Sequence, residues 1–387
     1  MKVKRELLVD QVEAALKRSR CVGLVGPRQC GKSTLARHIA RKRNSTYFDL
    51  EDPTSEARLV DAKLALEPLQ GLIVIDEVQL RKDIFPLLRV LLDRDPLPAR
   101  FLLLGSAAPD LIRSASESLA GRIEFIEMRG FSIDELNYAD TRRLWNRGSF
   151  PLSWLAESDF DSFKWRQAFI QAFCERDLRL LGVDLPPVTV RRFLTMLAHY
   201  HGRTWNGSEI GRSLQLSHPT IRRYLDLMSG ALLVRQLQPW FVNIGKRLVK
   251  APKVYLRDSG LLHSLLGLQS MTDIESHPLL GASWEGFALE TLISWRPDCQ
   301  PYYWATHGGA KLDLCWMDGP QRIGVEFKYS SAPSVTKSMR IALEDLKLDH
   351  IYVVHPGEEK FPLAKNITAT GLKGVRELLS LLEPVVG

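Results

Sequence analysis

The chain has 387 residues, of which 45% are hydrophobic and 25% charged, and it carries a net charge of +7. This length exceeds what one hydrophobic core supports, so two or three domains are expected. The apolar runs are too short to cross a bilayer, and the five scattered cysteines argue against a disulfide framework or zinc site. With no apolar leader-like stretch at the N-terminus, these features predict a cytoplasmic protein without membrane contact.

The first motif along the chain is a phosphate-binding loop. Residues 21–25 are predicted to form a buried strand, and a helical pattern with Leu35, Ile39 and Ala40 facing inward follows the loop. This strand–loop–helix context is the one that the motif requires, because backbone N–H groups and the helix N-terminus converge on phosphates. The predicted nucleotide-binding residues are Gly26, Pro27, Arg28, Gln29, Cys30, Gly31, Lys32, Ser33 and Thr34. Lys32 is expected to bridge the β- and γ-phosphates of ATP, and the Ser33 hydroxyl to bind Mg²⁺.

A second apolar run, residues 72–75, ends in Asp76 and Glu77. Ligands bind at the carboxyl ends of strands in open α/β sheets, so Asp76 is expected to hold Mg²⁺ through water. Glu77 is expected to polarise the attacking water. The alternative is a buried strand that ends in two solvated acids.

A third strand, 101–104, is followed by Gly105 and Ser106. If this strand lies between the first two, Ser106 is placed to sense the γ-phosphate; otherwise it is a turn serine. Further strands at 46–50 and 123–128 would complete a parallel sheet that helices cover on both faces.

These segments resemble a known group of proteins. The matching stretches, in chain order, are GPRQCGKSTL, LEDP, VIDEVQL, LLLGSAAP, SLAGRIEFIEM and FSIDEL. They are similar to bacterial and archaeal AAA-type ATPases that carry a restriction-endonuclease-like C-terminal domain. The resemblance implies an AAA-related core of the STAND-like branch and a Gly-x-Pro-type turn at 148–151 near the adenine. It also implies that Arg122 serves as an arginine finger or sensor, in cis or in trans; the alternative is a surface arginine.

The middle of the chain is basic. Residues 163–181 have the pattern of an amphipathic helical lid with Phe169, Phe173 and Leu178 inward, and Pro186-Pro187 mark a boundary. Residues 185–257 contain twelve basic and two acidic residues, a surplus of +10 that exceeds the net charge of the whole chain. Such a segment indicates a polyanionic partner.

The same segment has the element pattern of a winged helix-turn-helix. Helices are predicted at 191–201, 208–214 and 218–228, and wing strands at 231–237 and 253–256. The third helix would enter the major groove of DNA, and the wing would meet phosphates. The predicted contact residues are His218, Thr220, Arg222, Arg223, Lys246, Arg247 and Lys250. The alternative is a lid or a protein contact.

The C-terminal part has the order α-β-β-β-α-β with an Asp…Glu-x-Lys pattern, which resembles PD-(D/E)xK nucleases. Asp313 precedes the turn of a predicted hairpin, and Glu326 and Lys328 follow that turn. A turn at 318–319 pairs Asp313 with residue 324, whereas a turn at 319–320 pairs it with Glu326; both place all three side chains on one face.

Two carboxylates on that face could hold Mg²⁺, with Lys328 orienting water or countering charge and Glu285 as a third acid. The resembling domains usually have an acid where this chain has Lys311. The alternative is a degenerate site that binds nucleic acid without cutting it.

Taken together, the sequence predicts a multidomain α/β protein. Its predicted parts are a P-loop AAA-type ATPase core (1–145), a helical lid (146–185), a winged helix-turn-helix (186–260) and a PD-(D/E)xK-like, restriction-endonuclease-like domain (261–387). The predicted function is ATP hydrolysis with Mg²⁺ by a DNA-associated protein with a metal-dependent nuclease domain, in DNA processing or defence. A homo-oligomer or a protein partner is compatible with it. The alternative function is a nucleotide-controlled switch or scaffold that binds DNA or protein without cleaving nucleic acid.

Overall fold

The structure is a computed structural model that describes residues 3–106, 109–136, 138–178, 185–240, 249–318 and 321–380. It contains two compact units. The first comprises the described residues within Met1–Asn137, Ser149–Leu155 and Gly230–Leu233. The second comprises those within Tyr138–Gly148, Ala156–Ser229 and Val234–Gly387.

The first unit is built on a five-stranded parallel sheet. Its strands are β1 (Cys21–Gly26), β2 (Ser45–Asp49), β3 (Gly71–Asp76), β4 (Ala99–Ser106) and β5 (Ile123–Glu127). Their order across the sheet is β2-β3-β4-β1-β5. The helices of this unit are Glu6–Arg18, Lys32–Ala40, Pro53–Arg58, Ala62–Leu66, Phe85–Leu92, Pro109–Ser118 and Pro151–Trp154, with a 3₁₀ segment at Val78–Ile84.

The central strands of this sheet are buried on both faces. Leu24, Val74 and Leu102 lie in one cluster with apolar residues of the first two helices, and their strand neighbours Ile73 and Phe101 are fully buried on the other face. Continuous apolar strands of this kind are typical of parallel sheets covered on both sides. The five predicted strands are confirmed to within two residues at each end. The N-terminal helix Glu6–Arg18 was not predicted.

The second unit contains a nine-stranded sheet of order β13-β14-β12-β11-β10-β9-β7-β8-β6. Its strands are β6 (Arg203–Thr204), β7 (Val234–Pro239), β8 (Lys253–Leu256), β9 (Tyr302–Ala305), β10 (Lys311–Asp318), β11 (Gln321–Phe327), β12 (His350–Val354), β13 (Phe361–Ala364) and β14 (Ile367–Thr370). The helices are Thr141–Arg147, Asp159–Ala172, Pro187–His199, Gly207–Leu214, His218–Gly230, Ser259–Leu265, Met271–Ser276, Leu280–Trp295, Lys337–Leu346 and Leu372–Ser380, with a 3₁₀ turn at Tyr138–Asp140 and a π turn at Phe173–Asp177.

One sheet runs through both predicted C-terminal parts. β7 and β8 pair antiparallel, as expected of a wing, and β7 also pairs in parallel with β9 through Gln238–Tyr302 and Pro239–Tyr303. The predicted boundary at 260 therefore falls inside one compact unit. The boundary predicted at 145 also differs from Asn137, where the first segment of the first unit ends. That the four predicted parts fold independently stays a prediction.

Side-chain caps define the starts of two helices in the basic segment. The helix Gly207–Leu214 is capped by Asn206, whose side chain accepts a hydrogen bond from the Glu209 N–H at 3.3 Å. Asparagine is a strong N-cap residue, and here it stands one position before the helix begins. Ser217 caps the next helix in the same way, because its hydroxyl accepts a hydrogen bond from the Thr220 N–H at 3.4 Å.

A buried ion cluster lies where the wing-like strands meet the second unit's long helix. The Glu290 carboxylate, almost fully buried, accepts from the Arg235 guanidinium at 3.0 Å and from Arg257 at 3.2 Å. Removing one partner of a buried ion pair leaves an uncompensated buried charge.

We therefore expect Glu290→Gln to lower the free energy of unfolding by about 3 kcal/mol, measured by denaturant titration. The matched control is Asp226→Asn, which removes the partner of Arg222 in an exposed pair. That change should cost about 0.5 kcal/mol or less, because surface pairs contribute little. Equal costs for the two variants would contradict the burial argument.

Candidate functional site

The phosphate loop connects β1 to the helix Lys32–Ala40. Two of its residues have left-handed backbone angles, Gln29 with φ of 62° and Gly31 with φ of 99°. A Cβ on Gly26 would lie 2.2 Å from the Met128 carbonyl oxygen, so only glycine fits there. The loop is therefore a narrow cradle in which backbone approaches backbone.

Lys32 is the buried cation of this loop. Its side chain is only slightly exposed, and Nζ donates to the carbonyl oxygens of Gly26 and Pro27, each at 2.9 Å. These bonds hold the ammonium group across the loop, beside the amino end of the helix that follows. Ser33 is half-buried and Thr34 is exposed at the start of that helix.

Asp76 is held in a fixed orientation at the end of β3. It is 2% exposed and accepts from the Tyr47 hydroxyl at 2.6 Å and from the Glu77 N–H at 3.0 Å. Burial and the neighbouring carboxylate raise the pKa of Tyr47, so its hydroxyl stays protonated and remains a donor. The carboxylate therefore lies at the sheet edge expected for a magnesium ligand.

Glu77 adopts a left-handed backbone conformation with φ of 55° directly after β3. Its carboxylate accepts a hydrogen bond from the Gln79 amide. Burial raises the pKa of Glu77 above its ordinary value, whereas Gln79, Lys32 and Arg28 act in the opposite direction. A positive φ in a non-glycine residue is strained and is often found at functional sites.

Ser106 stands opposite the phosphate loop. β4 lies between β3 and β1, as the sensor hypothesis requires, and its register pairs Ser106 with Gly26. The Ser106 N–H donates to the Gln79 side-chain oxygen at 3.2 Å. Gln79 thus joins Glu77 to the end of β4. Sequence reasoning missed this residue, although its position two residues after Glu77 was a usable signal.

Arg28 adds a positive charge beside Glu51 and Glu77. Its guanidinium lies 2.8 Å from the Glu51 carboxylate and 4.0 Å from that of Glu77. Pro151 is close to the other side of the loop, 3.9 Å from where a Gly31 Cβ would lie. The predicted contact of residues 148–151 with adenine stays a prediction.

The structure excludes Arg122 as a finger or sensor within its own chain. Its carbonyl accepts from the N–H of Cys21, the first residue of β1, whereas the phosphate loop follows the last residue of β1. In a parallel sheet these ends are separated by the strand length, about 20 Å. The Arg122 guanidinium pairs instead with Asp93, at 2.6 Å and 2.8 Å. A role in trans, toward another copy of the chain, stays a prediction.

The predicted DNA-contact residues lie partly on an exposed surface. His218, Arg222 and Arg223 are exposed on the helix His218–Gly230, and Thr220 is half-buried. Lys250 is exposed, whereas Lys246 and Arg247 lie outside the described residues.

Not all of the basic surplus is available to a partner. Arg235 and Arg257 are paired with Glu290, and Lys253 is buried against two other acids. The charge that this segment presents to solvent is accordingly lower than the +10 counted from sequence.

The predicted nuclease residues do come together. β10 and β11 pair Leu314 with Val325, and the same register places Asp313 opposite Glu326, as a turn at 319–320 predicts. Glu285 reaches the cluster from the helix Leu280–Trp295, and Lys328 Nζ donates to Glu326 at 2.7 Å. We call Glu285, Asp313 and Glu326 the carboxylate cluster.

A lysine from β8 occupies this cluster. Lys253 Nζ lies 2.9 Å from Asp313 Oδ1 and 3.0 Å from Glu285 Oε1, and the residue is 6% exposed. Within the described ranges, no group of three or more His, Cys, Asp or Glu side chains is arranged to hold a metal ion. The predicted metal site is therefore not formed in this arrangement, in which an ammonium group lies between two of its acids. Sequence reasoning had counted Lys253 among the basic residues available to a polyanion.

The ionisation of the cluster follows from burial and from Lys253. Burial raises the pKa of Asp313, but the charge and hydrogen bond of Lys253 outweigh this, so the net pKa falls. Burial, followed by the Asp313 charge, raises the pKa of Glu326 to about 7. Burial and Asp313 likewise raise the pKa of Glu285.

Two mycobacterial proteins are similar to this chain over nearly its whole length. Over 391 residues it is 48% identical to "Uncharacterized protein Rv2008c" of Mycobacterium tuberculosis (strain ATCC 25618 / H37Rv), covering 99% of this chain and 88% of that protein. "Uncharacterized protein Mb2031c" of Mycobacterium bovis (strain ATCC BAA-935 / AF2122/97) matches with the same identity and coverage. The chain belongs to the family of these mycobacterial proteins.

Family models divide the chain into three matched regions. The AAA domain matches residues 18–137, and domains of unknown function match 138–272 (DUF8612) and 280–374 (DUF4143). The first compact unit thus contains a P-loop ATPase domain of the AAA type. The Walker-type ATPase PABY2304 of Pyrococcus abyssi has a similar fold, with a TM-score of 0.50 and 16% identity over 68% of this chain and 96% of that one.

In the parts of the chain that the structure describes, no helix combines the length and apolar character needed to cross a bilayer.

The AAA domain's Gln79 gives a direct test of this geometry. We expect Gln79→Ala to lower the ATP turnover number about tenfold. Without the Gln79 hydrogen bond, the Glu77 carboxylate is no longer held in position toward the attacking water. The KM for ATP should change little, because Gln79 lies beside the acid and not in the phosphate loop. Steady-state ATPase assays would measure both. The matched control is Lys82→Ala, an exposed residue of the same turn; a loss as large in that variant would contradict the positioning role.

Proposed function

We propose that the protein binds ATP with Mg²⁺ and hydrolyses it. One observation carries the proposal: the strand order β3-β4-β1 places Asp76, Glu77 and Ser106 at the same sheet edge as the phosphate loop. The comparisons with AAA-type and Walker-type ATPases support it.

Each residue then has a defined task toward ATP. The loop N–H groups and Lys32 hold the phosphates, with the helix N-terminus adding a favourable dipole. The Ser33 hydroxyl and the Asp76 carboxylate offer the hard oxygen ligands that Mg²⁺ prefers. When bound, the ion neutralises charge on the phosphates.

Glu77 is the residue that faces the attacking water in this proposal. Its left-handed backbone and the hydrogen bond from Gln79 fix the carboxylate beside the loop. Burial raises the pKa of Glu77, whereas the Gln79 hydrogen bond and the charges of Lys32 and Arg28 act against this rise and favour the ionised form that a water-orienting group requires.

ATP hydrolysis should depend on Lys32 and Glu77 in different ways. We expect Lys32→Ala to weaken ATP binding about ten- to hundredfold, through loss of charge-assisted hydrogen bonds. Glu77→Gln should keep nearly normal binding and lower turnover by about two orders of magnitude or more. Calorimetry and phosphate-release assays separate the two effects. Normal turnover in Glu77→Gln would remove that residue from the mechanism.

We also propose that the protein binds DNA through the helix His218–Gly230, in DNA processing or defence. The support is the exposed face with His218, Arg222 and Arg223, together with the exposed Lys250 of the predicted wing. Helix N-termini and arginines of this kind contact phosphates and base edges in the major groove.

Reversing both arginines, Arg222→Glu with Arg223→Glu, should weaken duplex binding, measured by fluorescence anisotropy at several salt concentrations. The parent's affinity should fall steeply with salt, and the variant's less so. The control makes the same change of charge at the exposed Lys337 and Arg340. Parent-like binding by the first variant would indicate a lid or protein-docking role for this helix.

Lys253 favours the non-cutting alternative for the second unit. The Lys253 ammonium already lies between Glu285 and Asp313 and occupies one oxygen of each carboxylate. We therefore propose an ATP-controlled switch that binds DNA, with a nuclease-like sheet whose carboxylates do not act on it in this arrangement. Metal-dependent cleavage of plasmid by the parent protein, abolished in Asp313→Ala, would refute this choice.

A further inference from the structure

Three carboxylates meet in the second unit, each from a different element. Glu285 comes from the helix Leu280–Trp295, Asp313 from β10 and Glu326 from β11. The side chains of Asp313 and Glu326 are 3% and 2% exposed, and that of Glu285 is 15% exposed. Buried carboxylates are costly unless cations or hydrogen-bond donors compensate them.

β8 supplies that compensation from outside the Asp…Glu-x-Lys pattern. Lys253 donates to Glu285 and Asp313, and Tyr255 donates to the same Glu285 oxygen at 2.6 Å. The two residues are two positions apart on one strand, so both point to the same face of the sheet. A cation within 3 Å of two carboxylates stands where a divalent ion would have to stand.

The compensation is incomplete at Glu326. Lys328 bonds its Oε1, whereas its Oε2 is buried and has no hydrogen-bond partner among the described residues. Buried polar atoms are almost always satisfied, so an orphaned carboxylate oxygen indicates a missing ligand. A carboxylate oxygen is an acceptor, so a water molecule or a cation could fill this position, and the adjacent acids favour a cation.

We propose that Lys253 is a built-in substitute for a divalent metal ion, and that neutralising it opens a Mg²⁺- or Mn²⁺-class site formed by Glu285, Asp313 and Glu326. The ammonium and the metal compete for the same oxygens, so only one of them occupies the cluster. β8 keeps metal ions out of this site, because it carries both Lys253 and Tyr255, which bind the acids. This inference does not depend on ATP hydrolysis.

The test compares Mn²⁺ binding by the full chain without nucleotide, in the parent and in Lys253→Met. We expect the variant to bind Mn²⁺ at least about tenfold more tightly, by electron paramagnetic resonance of free Mn²⁺, since a charge beside the ligands is removed. Its melting temperature should fall below that of the parent in chelator and recover with Mn²⁺. The parent's melting temperature should not respond to the metal.

Two variants act as controls. Lys365→Met removes an exposed lysine of the same unit that has no part in the cluster, and it should leave Mn²⁺ binding unchanged. Lys253→Met with Asp313→Asn removes the cation together with one acid; it should fold without metal and bind Mn²⁺ as weakly as the parent. Lys253→Gln keeps a donor for Asp313 and should also bind more tightly, which covers the case in which Lys253→Met does not fold. Parent-like Mn²⁺ affinity in the neutral Lys253 variants, or tight binding that persists without Asp313, would overturn the proposal.

Discussion

The second unit depends on one ammonium group between two buried carboxylates. Lys253 donates to both Glu285 and Asp313 and so lowers the considerable cost of burying these two acids. The same contact fixes β8 against the helix Leu280–Trp295 and β10, next to the short parallel pairing of β7 with β9. A strand pair that sequence assigns to a wing is in this way part of the sheet that carries the carboxylate cluster. Any change that draws β8 away removes the Lys253 and Tyr255 donors from these acids, so the structure links the position of the strand to the chemistry of the cluster.

The first unit depends on a different constraint, the order of five parallel strands. Because β4 lies between β3 and β1, the acids after β3, the serine at the end of β4 and the phosphate loop share one edge. Gln79 then connects two of these groups, Glu77 and Ser106, through one amide. The same parallel order places Arg122 at the far end of the sheet, where Asp93 neutralises it. An arginine finger from this position could act only on another copy of the chain.

Sequence reasoning succeeded where the signal was local and failed where distant elements meet. The strands around the phosphate loop follow from short apolar runs, and the shared face of Asp313 and Glu326 follows from strand alternation and turn length. Lys253 could not be assigned in this way, because 32 residues of chain separate it from Glu285 and 60 from Asp313, and a lysine in a basic segment normally faces water. The pairing of β7 with β9 and the Glu290 cluster are non-local in the same sense. The cis role of Arg122 could have been excluded from the sequence, since a residue directly before a strand of a parallel sheet lies at the amino ends of the strands, away from the phosphate loop.

The most direct test of this account is a crystal structure of the parent protein with Mn²⁺ and a non-hydrolysable ATP analogue, in which anomalous scattering locates the ion. The account predicts Mn²⁺ beside the nucleotide phosphates, near Ser33 and Asp76, and no anomalous peak in the carboxylate cluster, where Lys253 Nζ should remain in contact with Asp313. A Mn²⁺ ion coordinated by Asp313 and Glu326 with Lys253 displaced in the parent protein would contradict it.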